Sequence, residues 1–190
     1  MKSGAAPGCK EDDVGLYYEN LDERTRRLML DEMNLDVTEN KLNISPYFSG
    51  QGVHDYPNML RQAIESGDDN SLAAALSEQR RILRSYTRRT PSNGYSIVTI
   101  PPNAAEVVAE GEFNRYYIRA LARRAIEDGI QELIVIRAKP VAQPRPQSEA
   151  LIETTLNPRD ILEDLRQHPG EPSSLGVPAG PGSGLTVRLP

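Results

Sequence analysis

The sequence predicts an α+β fold, mostly helical, made of a compact helical domain, a small two-stranded β element and extended arms at both ends. Three observations predict it. Apolar residues recur at helical spacing through much of residues 20–128, whereas β-branched, strand-like runs occur at two places. Hydrophobic residues make up 38% of the 190-residue chain, below the usual globular share, which points to a modest core. Many of the 14 glycines and 15 prolines lie near the termini.

Taken in order, residues 1–16 read as an irregular N-terminal arm, and residues 17–138 as the helical core domain. Asn20 and Glu23 have the spacing of a capping box and open a helix ending near Asn34. Leu28, Leu30, Met33 and Leu35 form its apolar side, and Arg24, Arg26 and Arg27 its basic side. Residues 41–52 read as an extended piece and a turn. Pro57 suits the first position of a second helix, which Gly67 stops. Asp68, Asp69 and Asn70 can cap a third helix running through Leu72, Leu76, Ile82 and Leu83.

Residues 90–94, TPSNG, are a loop, and residues 95–100, YSIVTI, a strand. Asn103 and Glu106 repeat the capping-box spacing and begin a long helix that Gly129 ends. Residues 132–138, ELIVIRA, are the second strand. Strand, helix, strand is the order of a crossover unit, with a small parallel sheet. Residues 139–156 form a Pro-rich extended connector, residues 157–168 a short helix opened by Asn157-Pro158, and residues 169–190 a Gly/Pro-rich tail.

The function classes narrow by what the residues do not offer. The net charge of −5 is not that of a polycation. The single cysteine, Cys9, cannot make an intramolecular disulfide. No apolar run approaches membrane-spanning length, and MKSGAAPGCKEDD lacks the apolar centre of a signal peptide. The expected location is therefore the cytoplasm or an assembled virion. His54 and His168 are far apart, no G-x-S-x-G elbow occurs, and Gly180, Gly182 and Gly184 lack flanking elements that would make a phosphate loop. No catalytic, cofactor or metal-binding residue is assigned, and a non-enzymatic protein is expected.

Two basic clusters are the candidate binding features. On the long helix, Arg115, Arg119 and Arg123 stand at i, i+4 and i+8 and so share one stripe, with Tyr116 at its border. Val107, Gly111, Ile118, Leu121, Ala122 and Ala125 gather on the packed side, where Gly111 would admit another backbone. Such a stripe can be solvated or paired internally, can bind protein, since Arg and Tyr are enriched at hot spots, or can meet nucleic acid. The partner-binding reading takes Arg115, Tyr116, Arg119 and Arg123. It adds Leu185, Val187 and Leu189, which alternate like a strand able to join a partner's sheet edge. On this reading the tail can be deleted without unfolding the domain. The second cluster, Arg80, Arg81, Arg84, Arg88 and Arg89 around Tyr86, is a basic helix end and the candidate nucleic-acid contact.

YYENLDERTRRLMLDEM, GEFNRYYIRALARRAI and GPGSGLTVRL resemble segments of uncharacterised proteins of bacterial and bacteriophage genomes, over most of the chain. The resemblance implies a phage or prophage origin and carries no activity or binding site. Extended arms of the kind that lace virion subunits fit this layout. The expected function is a structural or interaction protein in a multi-subunit assembly such as a phage head or tail, bound to other protein subunits. The alternative is a small nucleic-acid-associated protein using the second arginine cluster.

Overall fold

The computed structural model describes residues 15–91, 94–178, 180 and 182–190. The N-terminal arm, Cys9 included, lies outside them except for Gly15 and Leu16.

The first helix, α1 (Glu23–Thr38), is capped by Asp22, whose carboxylate accepts from the Thr25 N–H at 2.9 Å. Asn20 does a different job: its Oδ1 accepts from the Leu189 N–H and ties the segment before α1 to the C-terminal residues. Helix α2 (Gly50–Ser66) starts seven residues before Pro57, because Ser49 caps the Gly52 N–H. Pro57 is tolerated inside it; the residue whose carbonyl loses its partner, Val53, lies on the exposed side. Helix α3 (Asp69–Ser77) opens with a reciprocal cap between Asp68 and Ser71. It stops earlier than expected. After a 3₁₀ turn over Glu78–Arg80, Arg80 takes a left-handed φ of 59° and the chain leaves the helix. Arg81 pins the exit, with Nε donating to Asp55 Oδ2 at 3.1 Å and Nη1 to the Ala75 carbonyl at 2.7 Å.

Strands β1 (Ser85–Arg89) and β2 (Tyr95–Thr99) pair antiparallel in a hairpin. The 25-residue helix α4 (Ala104–Asp128) follows and is the axis of the molecule, with α1, α3 and later α6 packed along it. Gly129, at φ 72°, ends it in the left-handed conformation glycine favours. Strand β3 (Leu133–Arg137), the short helix α5 (Pro146–Glu149), strand β4 (Thr155–Leu156), helix α6 (Pro158–Gln167) and strand β5 (Leu185–Arg188) complete the chain. The second sheet has the order β4–β3–β5, antiparallel throughout.

The fold is therefore mostly helical α+β, but two expectations about its strands are corrected. The strands at 95–100 and 132–138 do not form a parallel crossover pair. β2 pairs with its neighbour β1 across a loop that Thr90 and Gly94 close by mutual hydrogen bonds. Closing so short a loop costs less entropy than bringing together strands separated by a long helix. The 169–190 segment is also not a detached tail. Leu185 and Val187 are 1% and 0% exposed, and β5 pairs with β3 over Ile134–Arg137. The alternating apolar residues do find a sheet edge, that of their own domain.

No helix among the described residues is long and apolar enough to cross a membrane.

Candidate functional site

The arginine stripe of α4 faces inward. Its spacing does place Arg115, Arg119 and Arg123 on one line, but α1, α6 and the segment after α6 lie over that line. Arg119 is 0% exposed and bonds Glu32 and Asp36 of α1: Nε donates to Glu32 Oε2 at 2.9 Å, and Nη1 and Nη2 to the two Asp36 oxygens at 2.5 and 3.0 Å. Tyr116, also buried, donates its hydroxyl to Asp36 Oδ2 at 2.8 Å, and the Arg119 guanidinium lies 5.2 Å from its ring centre. Arg123 reaches Glu32 at 3.3 Å and Asp31 at 3.4 Å. Arg166 of α6 adds a two-pronged contact to Glu32, at 2.9 and 2.5 Å. Arg115 donates Nη1 to the His168 carbonyl and Nη2 to that of Glu171.

Burial opposes the charge on Glu32, yet hydrogen bonds from Arg166 and Arg119 outweigh it and hold the carboxyl below its ordinary range. Burial likewise works against the Arg119 cation, and Asp36 and Glu32 overcome it, leaving the guanidinium more firmly protonated than a free one. Burial, then Asp36, push the Tyr116 hydroxyl upward, so it serves as a proton donor and not as an anion. Tyr116, Arg119 and Arg123 thus find their partners within the chain, and Arg115 is buried with its terminal nitrogens on backbone carbonyls and its Nε unpaired, which corrects the partner-binding assignment of Arg115, Tyr116, Arg119 and Arg123. Leu185 and Val187 are buried and Leu189 is partly buried, so they too belong to this domain's packing.

The second cluster is not a helix end. Arg88 and Arg89 are neighbours on β1 and point to opposite faces of the hairpin, while Arg84 precedes the strand. Arg81 is absorbed by Asp55 and Ala75. Asp55 is held down at about 2, by its bonds with His54 first and then Gln51 and Arg81. Arg80, Arg84, Arg88 and Arg89 are exposed.

The hairpin carries a feature that residue spacing alone concealed. The pairs Thr87–Ile97 and Arg89–Tyr95 lie on one face, and Tyr95 and Ile97 are 76% and 78% exposed. Tyr86 and Val98 lie on the other face, where Tyr86 packs on Tyr47 with ring centres 6.0 Å apart. The hairpin is held to the body at its root, by the Phe48–Ile82 bridge and the Leu83 N–H to the Tyr47 carbonyl. Over five residues per strand it extends about 15 Å. The signal for it was present, since Tyr86-Thr87 is β-prone, but the arginines on either side resemble a helix terminus.

A cleft of about 290 Å³ lies beside the N-terminal half of α4, walled by the 43–47 and 170–172 segments with Pro178, Gly180 and Ser183. Gly111 is in its wall, and a Cβ added there would meet nothing within 4 Å. This corrects the expectation that Gly111 admits a close backbone. Glu112 and Arg115 also line the cleft. Burial raises the Glu112 carboxyl above its usual range, against the opposing influences of Arg115 and Asn43. Among the described residues no three His, Cys, Asp or Glu side chains are grouped as metal ligands.

Comparison of the chain with protein-family models, with curated proteins and with solved structures finds no match. The functional reading therefore rests on the geometry above.

Proposed function

We propose that the chain is a non-enzymatic structural subunit of a multi-subunit assembly, of the kind that builds a bacteriophage head or tail, and that its β1–β2 hairpin docks on a neighbouring copy of the same chain. The observation that carries this reading is the outer hairpin face, where Tyr95 and Ile97 stand in water side by side. Burying two such side chains against a partner is worth about 3–6 kcal/mol before ordering costs. A two-stranded hairpin left in solvent is at best marginally stable, so an occupant for that face would also stabilise the hairpin.

Charge favours a second copy as the occupant. Residues 79–105 hold five arginines and no acid; a chain net of −5 with +5 in this segment leaves −10 on the rest. A hairpin that carries Arg88 and Arg89, with Tyr95 and Ile97 along one face, thus complements the acidic remainder of its own sequence, and attraction of this kind sets both register and encounter rate. The nucleic-acid reading would use the same exposed arginines, but an exposed isoleucine does nothing for phosphate contact.

Sedimentation velocity of the purified chain tests the proposal. The wild type is expected to associate at low salt and to dissociate toward about 0.5 M salt, where charges are screened beyond a few ångströms. Ile97→Asp is expected to stay monomeric with an unchanged melting temperature. A monomeric wild type that binds duplex DNA with a steep salt dependence would overturn it in favour of nucleic-acid binding.

A further inference from the structure

We propose that the cleft beside α4 binds a small, neutral, mostly apolar molecule carrying a carboxamide, and that Glu112 recognises the amide. The first support is Gly111. Glycine in a helix interior is destabilising relative to alanine. Here it neither takes a left-handed φ nor permits a tight contact, since an added Cβ would enter open space. Its effect is to keep the cleft's volume, at the small end of the ~300–1,000 Å³ common for ligand sites.

The second support is Glu112, 7% exposed. Its Oε1 accepts from Asn43 Nδ2 at 2.6 Å, while its Oε2 is buried and has no hydrogen-bond partner. A buried polar atom left unpaired is costly, so a ligand that pairs it has an advantage over one that does not. The last torsion of a glutamate is soft, so a turn of the carboxyl that gives up the Asn43 bond for one to the ligand can present an oxygen to the cleft.

The amide follows from the electrostatics. A neutral Glu112 has a hydroxyl to donate, and an ionised one has a lone pair to fill. A carboxamide, with N–H beside C=O, serves either state. A ligand carboxylate would be repelled by ionised Glu112. A ligand ammonium would meet the Arg115 guanidinium, which lines the same cleft one helical turn away, gives its terminal nitrogens to backbone carbonyls and leaves its buried Nε unpaired, while Glu110 in the same lining is already paired with Lys139. Val107, Val108 and Pro172 supply the apolar walls.

The test uses four ring probes of similar size on the full ¹⁵N-labelled chain: benzamide, benzoate, benzylamine and toluene. Benzamide is expected to shift the amide signals of Gly111 and Glu112 saturably at millimolar concentration and to bind at least about tenfold more tightly than the other three, a ratio worth about 1.4 kcal/mol. Gly111→Leu is expected to fold, to melt no lower than the wild type by more than a few degrees, and to lose benzamide binding. Glu112→Met is expected to bind benzamide and toluene alike. The proposal is overturned if benzamide shifts neither signal, if toluene binds the wild type as well as benzamide does, or if a folded Gly111→Leu variant still binds. Should Gly111→Leu not fold, the ranking of the four probes on the wild type decides alone.

Discussion

Arg119 grips Asp36 with two parallel hydrogen bonds, on side chains 0% and 5% exposed, and so fastens α4 to α1 through a charge pair withdrawn from water. Removing one member leaves the other buried and uncompensated. Arg119→Leu is expected to lose about 3–5 kcal/mol of unfolding free energy, measured by urea denaturation. The double variant Arg119→Leu/Asp36→Leu should recover part of it, because apolar groups can replace a buried pair at little net cost and Glu32 keeps Arg166 and Arg123, although the Tyr116 hydroxyl loses its acceptor. A single variant as stable as the wild type would show that the pair is dispensable.

Glu32 sets an acid limit. Its folded carboxyl lies below its ordinary value, so the unfolded chain takes up the proton first as pH falls. The stability it contributes is complete above about pH 4.5 and is lost as pH drops through the folded value. Urea midpoints are expected to fall steeply below about pH 4.5, and less steeply in Glu32→Gln.

Asp69 has the opposite sign. Burial first of all raises its carboxyl to about 6, although it accepts the Leu16 N–H at 2.9 Å. Here the folded state binds the proton more tightly, so this group's contribution improves as pH falls from about 6 to 4. At neutral pH its charge costs about 3 kcal/mol, offset by up to about 1 from its place in the first turn of α3. Asp69→Asn is expected to stabilise the chain by about 2 kcal/mol at pH 7 and by almost nothing at pH 4. An Asp69→Asn chain less stable at pH 7 would contradict this.

The C-terminal strand belongs to the core. Asn114 of α4 donates to the Leu185 carbonyl at 2.8 Å and accepts from the Thr186 hydroxyl at 2.6 Å, covering the outer edge of β5. Leu185→Ala is expected to cost about 2–5 kcal/mol. A chain ending at Ser183 should not melt cooperatively by circular dichroism. A truncated chain with normal melting would restore the detached-tail reading.

How far the residues announced this fold differs from element to element. α4, β3 and α6 were legible because apolar spacing and stops agree locally; Asn157 does cap α6, whereas Asn103 opens α4 without the side-chain cap that its spacing with Glu106 suggests. β1 was hidden because arginines beside a helix read as its end, and only the left-handed turn at Arg80 and the pin at Arg81 redirect the chain. The inward turn of the stripe depends on a distant segment, α1. A clue did stand there: Glu32 and Asp36 fall in register with Thr25, Leu28, Met29 and Met33, on the buried face. Carboxylates within an apolar helix face require a buried cation, and Arg119 is that cation. Neither the cleft nor the exposure of Tyr95 and Ile97 has a local signature, since both depend on how separate segments come to lie in space.

The hairpin's docking is tested most directly by mixed-label NMR. A nitroxide is placed on Ser96→Cys in a Cys9→Ser background, and this chain is mixed at low salt with ¹⁵N-labelled wild type. The predicted result is intermolecular broadening of amide signals beside exposed acidic residues of the labelled chain, abolished by about 0.5 M salt and by Ile97→Asp in the spin-labelled partner. Association that persists with no such broadening, or with broadening that Ile97→Asp leaves unchanged, would contradict the assignment of the hairpin as the docking element.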